Sequence, residues 1–234
     1  MYTYVQKYEI RGPTLLRKRI GALLIGQSPR PDLLEPLSPY RKSIEIIQVG
    51  ALDDLEVNEL PFISQPCYPL ETRMRNGESV TVEQEMLAPL LQKAVHTIEQ
   101  MDVCAVMLMC AGTFPSLRCR PPLFRPFQIG LSFLRAVSAT SIGVLAPIEE
   151  QMSPIRARWQ DAGFNTMIWS ADLHFAGRIL WEQINEEAET NDLEYLVLDY
   201  VGHSRAAVRQ IQQAVSLPVL DLGSLAAVVL ASTI

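Results

Sequence analysis

Residues 20–30 read Ile-Gly-Ala-Leu-Leu-Ile-Gly-Gln-Ser-Pro-Arg. An uncharged apolar run stops at Gly26, and a polar turn follows. A strand half-exposed to water alternates apolar and polar residues, whereas a continuous short run marks a strand buried on both faces. Such strands occur in parallel sheets covered by helices. The pattern recurs along the chain. Runs at 43–49, 103–109, 141–145, 165–169, 195–198 and 219–220 read as further strands. Apolar residues at helical intervals mark helices over 83–100, 128–137, 149–162, 173–187, 204–215 and 224–230, and a short helix is expected over 53–60. Pro89 is expected to disturb the first of these, and Pro154 lies near the start of the third. Four prolines between 115 and 127 mark a loop. The segment 70–82 differs: Asn76-Gly77 between two extended flanks is a strong hairpin signal.

Strands that alternate with longer helices build right-handed βαβ units. The predicted fold class is therefore α/β and doubly wound. It has two pseudo-symmetric Rossmann-like lobes on mostly parallel sheets, with a β-hairpin insertion. The lobes span 18–135 and 136–234, after an N-terminal arm over 1–17. The last helix has the option of packing back on the first lobe.

Composition narrows the function. The chain has 234 residues, 48% of them hydrophobic and 20% charged, which excludes disorder over its body. A net charge of −6 argues against a nucleic-acid surface, which needs a concentrated basic face. The only basic cluster, Arg17, Lys18 and Arg19, reads as a solvated strand entry. No apolar run approaches the ~20 residues of a membrane span, and no signal-peptide core precedes the first strand. A cytoplasmic setting is expected. The cysteines at 67, 104, 110 and 119 and the histidines at 96, 174 and 203 fit neither a disulfide framework nor a zinc site. No metal and no cofactor are expected. The turn after the first strand lacks both the dinucleotide fingerprint and the P-loop ending, which disfavours a nicotinamide-dependent oxidoreductase.

In parallel α/β sheets chemistry gathers beyond the carboxyl ends of the strands. The first loop there, Gln27-Ser28-Pro29-Arg30, offers a hydroxyl, backbone amides and a guanidinium to a small anion. The second, Cys110-Ala111-Gly112-Thr113, follows the most apolar strand of the first half. Gly112 permits an unusual turn whose amides can lower the thiol pKa, and Thr113 can bind a carboxylate. A thiolate at Cys110 can add to a substrate or take a proton beside a carbonyl. Cys104, on the same strand, reads as an ordinary buried residue. The third loop, Pro147 to Gln151, offers Glu150 and Gln151 as ligand contacts. The fourth, Asp199-Tyr200-Val201-Gly202-His203, carries a phenol and an imidazole able to exchange protons. Arg73 and Arg75 of the hairpin add cationic groups.

The motifs IGQSPRPDL at 25–33, TRMRNGESV at 72–80, MLMCAGTF at 107–114, GVLAPIEEQ at 143–151 and LDYVGHS at 198–204 resemble the AroM family, in order along the chain. That family is related to the aspartate/glutamate racemase superfamily, which includes hydantoin racemases, maleate isomerases and arylmalonate decarboxylases. The resemblance implies an Asp/Glu racemase-like fold with a site between the lobes, and a homodimer. In the superfamily's racemases two cysteines face each other across the substrate. Cys110 matches the first. Tyr200 stands where the family usually has the second, so LDY replaces an LDC-type motif. The expected function is a cysteine-dependent isomerase or lyase acting on a small carboxylate by proton transfer or thiolate addition. The catalytic set is Cys110, Tyr200 and His203. The substrate set is Gln27, Ser28, Arg30, Arg73, Gly112, Thr113, Pro147, Glu150 and Gln151. The alternative is a non-catalytic small-molecule-binding or regulatory protein using the same cleft.

Overall fold

The computed structural model describes residues 17–60, 68–171 and 178–234. The arm expected over 1–17, apart from Arg17, and the first residues of the helix expected from 173 lie outside these residues. The first half runs β1 (Lys18–Leu24), β2 (Ile44–Gly50), β3 (Pro69–Arg73), β4 (Ser79–Glu83), α1 (Gln84–Glu99), β5 (Ala105–Leu108), β6 (Leu123–Phe124) and α2 (Pro126–Ala136). The second runs β7 (Ser141–Ala146), α3 (Met152–Asp161), β8 (Asn165–Ser170), α4 (Arg178–Thr190), β9 (Tyr195–Leu198), α5 (Arg205–Ala214), β10 (Val219–Asp221) and α6 (Leu222–Thr233).

Two four-stranded sheets result, ordered β2-β1-β5-β6 and β10-β9-β7-β8, and all their pairings are parallel. Counted from each half's own first strand, both orders are second-first-third-fourth. The halves are thus topologically equivalent, with β1 matching β7 and β5 matching β9. Side chains on a strand alternate between faces, and both faces of each sheet are covered. Leu23 joins one core with Leu87, Leu91, Val95 and Ile98 of α1, while Ile20, Ala22 and Leu24 join another on the opposite face. This is why the first strand is an unbroken apolar run. In the second sheet Ile142 and Val144 pack with Ile155 and Trp159 of α3, and Leu145, Leu196 and Leu198 face Ile184 and Ile211 of α4 and α5. Each fully buried side chain of this size contributes roughly 1.5–3 kcal/mol.

The halves exchange helices. Phe127 and Leu134 of α2 enter the core of the second sheet, whereas Ala226, Ala227 and Leu230 of α6 pack on the first. Gly130 of α2 lies so close to Leu222 of α6 that an added methyl would strike that side chain. Packing therefore crosses the boundary drawn at 135/136.

Several local expectations are corrected. The helix expected over 53–60 is reduced to a 3-10 turn at Val57–Glu59. The loop 115–127 holds β6, a two-residue parallel edge strand. A 3-10 helix, Pro31–Tyr40, connects β1 to β2, with Pro36 and Pro39 removing the amide donors that a long α-helix needs. Cys104 is exposed, because β5 begins only at Ala105. Pro89 is accommodated inside α1. The hairpin β3–β4 turns where Asn76-Gly77 predicts, but positive φ is confined to Gly77, at 90°. Its N–H returns to the Met74 carbonyl at 2.9 Å, which closes a loop wider than two residues.

Candidate functional site

The carboxyl ends of both sheets face one cleft of about 640 Å³. Its walls include Met109, Cys110, Ala111 and Gly112 after β5, Pro147 and Ile148 after β7, and the segment Asp199 to Ser204 after β9. Arg30 and Asp32 enter from the loop after β1. Leu70, Thr72 and Arg73 of the hairpin, with Tyr68 before it, complete the walls.

The strand equivalence gives Cys110 and Tyr200 corresponding places. Met109 N–H donates to the Leu23 carbonyl at 2.8 Å, and Asp199 N–H donates to the Leu145 carbonyl at 3.0 Å. Leu23 pairs with Leu108 across β1 and β5 as Leu145 pairs with Leu198 across β7 and β9. Cys110 and Tyr200 each follow one residue later, so the two sheets deliver a thiol and a phenol to one cleft in matching register.

Cys110 is buried at the floor of this cleft. The Gly112 N–H donates to its Sγ at 3.2 Å, the amide contact expected to favour a thiolate. Burial outweighs it and pushes the pKa up to about 11. Gly112 itself has no positive φ; its Cβ position lies 3.3 Å from Sγ, so what it provides is close approach. Gly202 does hold a left-handed φ of 112°, and a Cβ there would sit 2.7 Å from Leu33. Burial likewise raises the Tyr200 pKa, against a lowering influence from Arg30. The Tyr200 ring lies 5.0 Å from that of His203, whose Nδ1 is 3.0 Å from Asp221. Asp221 also caps α6 through the Ser224 N–H at 2.9 Å.

Of the substrate set, Arg30, Arg73, Gly112, Pro147 and Gln151 line the cleft. Arg30 is already held by Asp32 through contacts of 2.6 and 2.9 Å. Arg73 is exposed and, among the described residues, its side chain makes no hydrogen bond, which leaves it the less engaged cation. Gln151 donates to the Pro69 carbonyl at 2.8 Å and ties the hairpin to the second half.

Gln27, Ser28, Thr113 and Glu150 do not line the cleft. Gln27 is buried, donates to the Leu52 and Leu55 carbonyls, and accepts from Arg75 N–H at 2.6 Å. The Ser28 hydroxyl donates to Asp53 at 2.9 Å, and Arg75 binds the Ser28 carbonyl at the same distance. These residues dock the hairpin onto the first sheet. Thr113 offers its carbonyl to Gln84 at 2.8 Å, and Glu150 points to solvent as part of a 3-10 turn.

Sequence reasoning missed Tyr68, Asp32 and above all the pair Arg158–Asp199. Arg158 Nη2 contacts both Asp199 oxygens at 2.7 and 2.5 Å, with the two side chains only 9% and 1% exposed. The available signal was helical spacing: Arg158 lies on the face of α3 that buries Ile155 and Trp159, whereas Arg156 is exposed. Among the described residues no cluster of His, Cys, Asp or Glu is placed to hold a metal ion, and no helix is long and apolar enough to cross a membrane.

Two sheets of one topology with strand ends meeting at a shared cleft define an aspartate/glutamate racemase-like fold. The structure is similar to that of unliganded arylmalonate decarboxylase, with a TM-score of 0.59, 13% identity and coverage of 92% of each chain. It is similar as well to an aspartate racemase homologue from Pyrococcus horikoshii, with a TM-score of 0.61, 13% identity and coverage of 92% of this chain and 98% of that one. The maleate isomerase Iso from Pseudomonas putida S16 gives a TM-score of 0.60 at 10% identity over 93% of each chain. Among curated proteins no sequence matches. The family model described as AroM protein matches residues 20–234, and the chain belongs to the AroM family.

Proposed function

We propose that this protein is a cofactor-independent isomerase or lyase that transfers a proton to a small carboxylate from Cys110. The observation that carries this reading is the delivery of Cys110 and Tyr200, from equivalent strand ends, to one cleft. Arg73, with Arg30 beside it, anchors the substrate carboxylate by charge-assisted hydrogen bonds. The protonated thiol favours proton donation over thiolate addition. In a decarboxylation the bond between the α-carbon and the departing carboxylate breaks, and its electron pair stays on the α-carbon as an enediolate. The Cys110 S–H proton then moves to that carbon, and solvent reprotonates the thiolate. In an isomerisation His203, which lines the cleft, takes the α-proton, the C–H electron pair stays on the α-carbon as an enediolate, and the Cys110 S–H proton is delivered to that carbon; solvent then returns a proton to the thiolate and takes one from His203.

Tyr200 disfavours an efficient two-base racemase. Such an enzyme needs a base on either face of the α-carbon. An ordinary tyrosine, at 10.0, titrates 1 pK unit above an ordinary cysteine at 9.0, roughly 1.4 kcal/mol, and burial moves Tyr200 further from the base form. It suits one-way proton donation, assisted by His203. A homodimer is part of the proposal.

The second reading is a small-molecule-binding protein without catalysis, favoured by the same raised Cys110 and Tyr200 pKa values. The test incubates wild-type, Cys110→Ala and Tyr200→Phe proteins with a panel of chiral amino, hydroxy and malonic acids in deuterated water. We expect exchange or turnover on one face only, abolished by Cys110→Ala. Inversion of both enantiomers, lost in both variants, would restore a racemase. No reaction on any acid, with saturable binding to the cleft, would select the second reading.

A further inference from the structure

The four strand-end loops come from two separate sheets, so something must fix the loop after β5 against the loop after β9. One guanidinium touches both. Arg158 Nη1 donates to the carbonyl of Ala111, the residue after Cys110, at 2.9 Å. Its Nη2 holds Asp199, the residue before Tyr200. Asp199 is held in turn by Trp159 Nε1 at 2.7 Å. The Arg158 guanidinium lies 4.2 Å from the Phe127 ring centroid and 5.8 Å from that of Tyr68. Phe127 belongs to α2, the helix that the first half lends to the second. Stability alone does not call for this arrangement: buried ion pairs are often neutral or worse than apolar packing, and Arg158 Nε is buried without a partner.

We propose that Arg158 is a positioning residue for Cys110, tying the Cys110 loop to the Tyr200 loop with Asp199 as its anchor and keeping a fixed cation beside the thiol. The inference rests on the reading of Cys110 as the reacting group. Arginine suits the task because its planar fork donates in two directions at once, which a lysine ammonium does not reproduce. The ionisable groups facing Cys110 are Tyr68, Tyr200, Arg158 and Asp199. The Arg158 cation lowers the thiol pKa, and the Asp199 anion raises it. Removing one partner exposes the other's charge to the thiol.

The experiment is peptide-resolved iodoacetamide alkylation of Cys110 in the folded protein between pH 7 and 11, for wild type, D199N, R158Q and the D199N/R158Q double variant. It needs no substrate, so it reads the positioning pair even if the proposed reaction is wrong. With folding verified by circular dichroism, D199N should alkylate measurably faster than wild type below the midpoint, because the anion that opposes the thiolate is gone, and by a smaller factor than R158Q loses. R158Q should alkylate several-fold slower, and the double variant should return close to wild type. Mere loosening of the packing would instead accelerate both single variants and the double variant most of all; that result overturns the proposal, as do unchanged rates in both single variants. If one single variant fails to fold, the other is compared with the double variant, which carries no lone buried charge. D199N must then exceed it, or R158Q must fall below it, and equality overturns the proposal.

Discussion

Burial sets the chemistry of Cys110, and pH is the perturbation that reads it. Only 8% of the residue is exposed. Desolvation disfavours the thiolate, the Gly112 amide and Arg158 favour it, and the balance lies at about 11 against an ordinary 9.0. That difference leaves about a hundredfold less thiolate at any pH below the ordinary value near 9, roughly 3 kcal/mol, and the gap narrows from there to the midpoint. The assay follows alkylation of Cys110 and of exposed Cys104 in one sample from pH 7 to 11, resolved by peptide mass spectrometry. Cys104 is the internal reference, and a urea-unfolded sample supplies the unperturbed rate for both. We expect Cys110 to lag by about two orders of magnitude at pH 8, with its rate still rising above pH 10. Restricted access lowers the plateau of such a profile, whereas protonation moves its midpoint, so the midpoint is the quantity to compare. The same linkage acts on stability. The folded-state pKa is raised, so the contribution of the protonated thiol is complete below the unfolded value near 9. It is lost as pH rises through about 11, by up to roughly 3 kcal/mol. A Cys110 midpoint below 9 in the folded protein would refute the argument and return thiolate addition to the front.

Among the remaining predictions, Arg73→Ala should weaken binding of any carboxylate found to occupy the cleft by at least tenfold, and more than Arg30→Ala, because Asp32 already engages Arg30. Calorimetric titration measures both, and a larger loss at Arg30 would move the anchor there. Gly26→Ala places a methyl against Thr72 Oγ1 and 2.7 Å from the Arg73 carbonyl, so the hairpin must lift. A loss of about 1–3 kcal/mol is expected, seen as a fall in Tm of several degrees together with weaker ligand binding; unchanged values would show that the hairpin docks less tightly than its contacts imply. Light scattering should report a homodimer, and a monomer at high concentration removes that expectation.

Local signals carried the architecture. Strands buried on both faces cannot alternate, so their unbroken apolar runs at 20–25, 103–109, 141–145 and 195–198 name the central strands before any contact is known. Asn76-Gly77 locates the hairpin for an equally local reason: a reversal there needs positive φ, which glycine adopts freely. Because function in such sheets collects at carboxyl ends, the same reading singled out Cys110, Tyr200, His203, Arg30 and Pro147, all of which line the cleft. The methods of local periodicity fail where a residue's neighbours lie far away in the chain. Gln27 and Ser28 occupy a strand end yet turn toward Leu52, Asp53 and Arg75, since the docked hairpin supplies nearer partners than the cleft does.

The amino-acid sequence by itself determined the α/β alternation, the central strands, the hairpin and the family. Each depends on side-chain periodicity or on a contiguous motif. Tertiary structure alone decided the exchange of α2 and α6 between sheets, the closure of the cleft by the hairpin, and the Arg158–Asp199 link 41 residues apart. It set the direction in which the Cys110 pKa moves as well. The amide that favours a thiolate is two residues away and legible in sequence. The desolvation that overrules it comes from the packed core that Cys110 joins, whose members Ile25, Leu70, Leu87 and Phe114 are far apart in the chain.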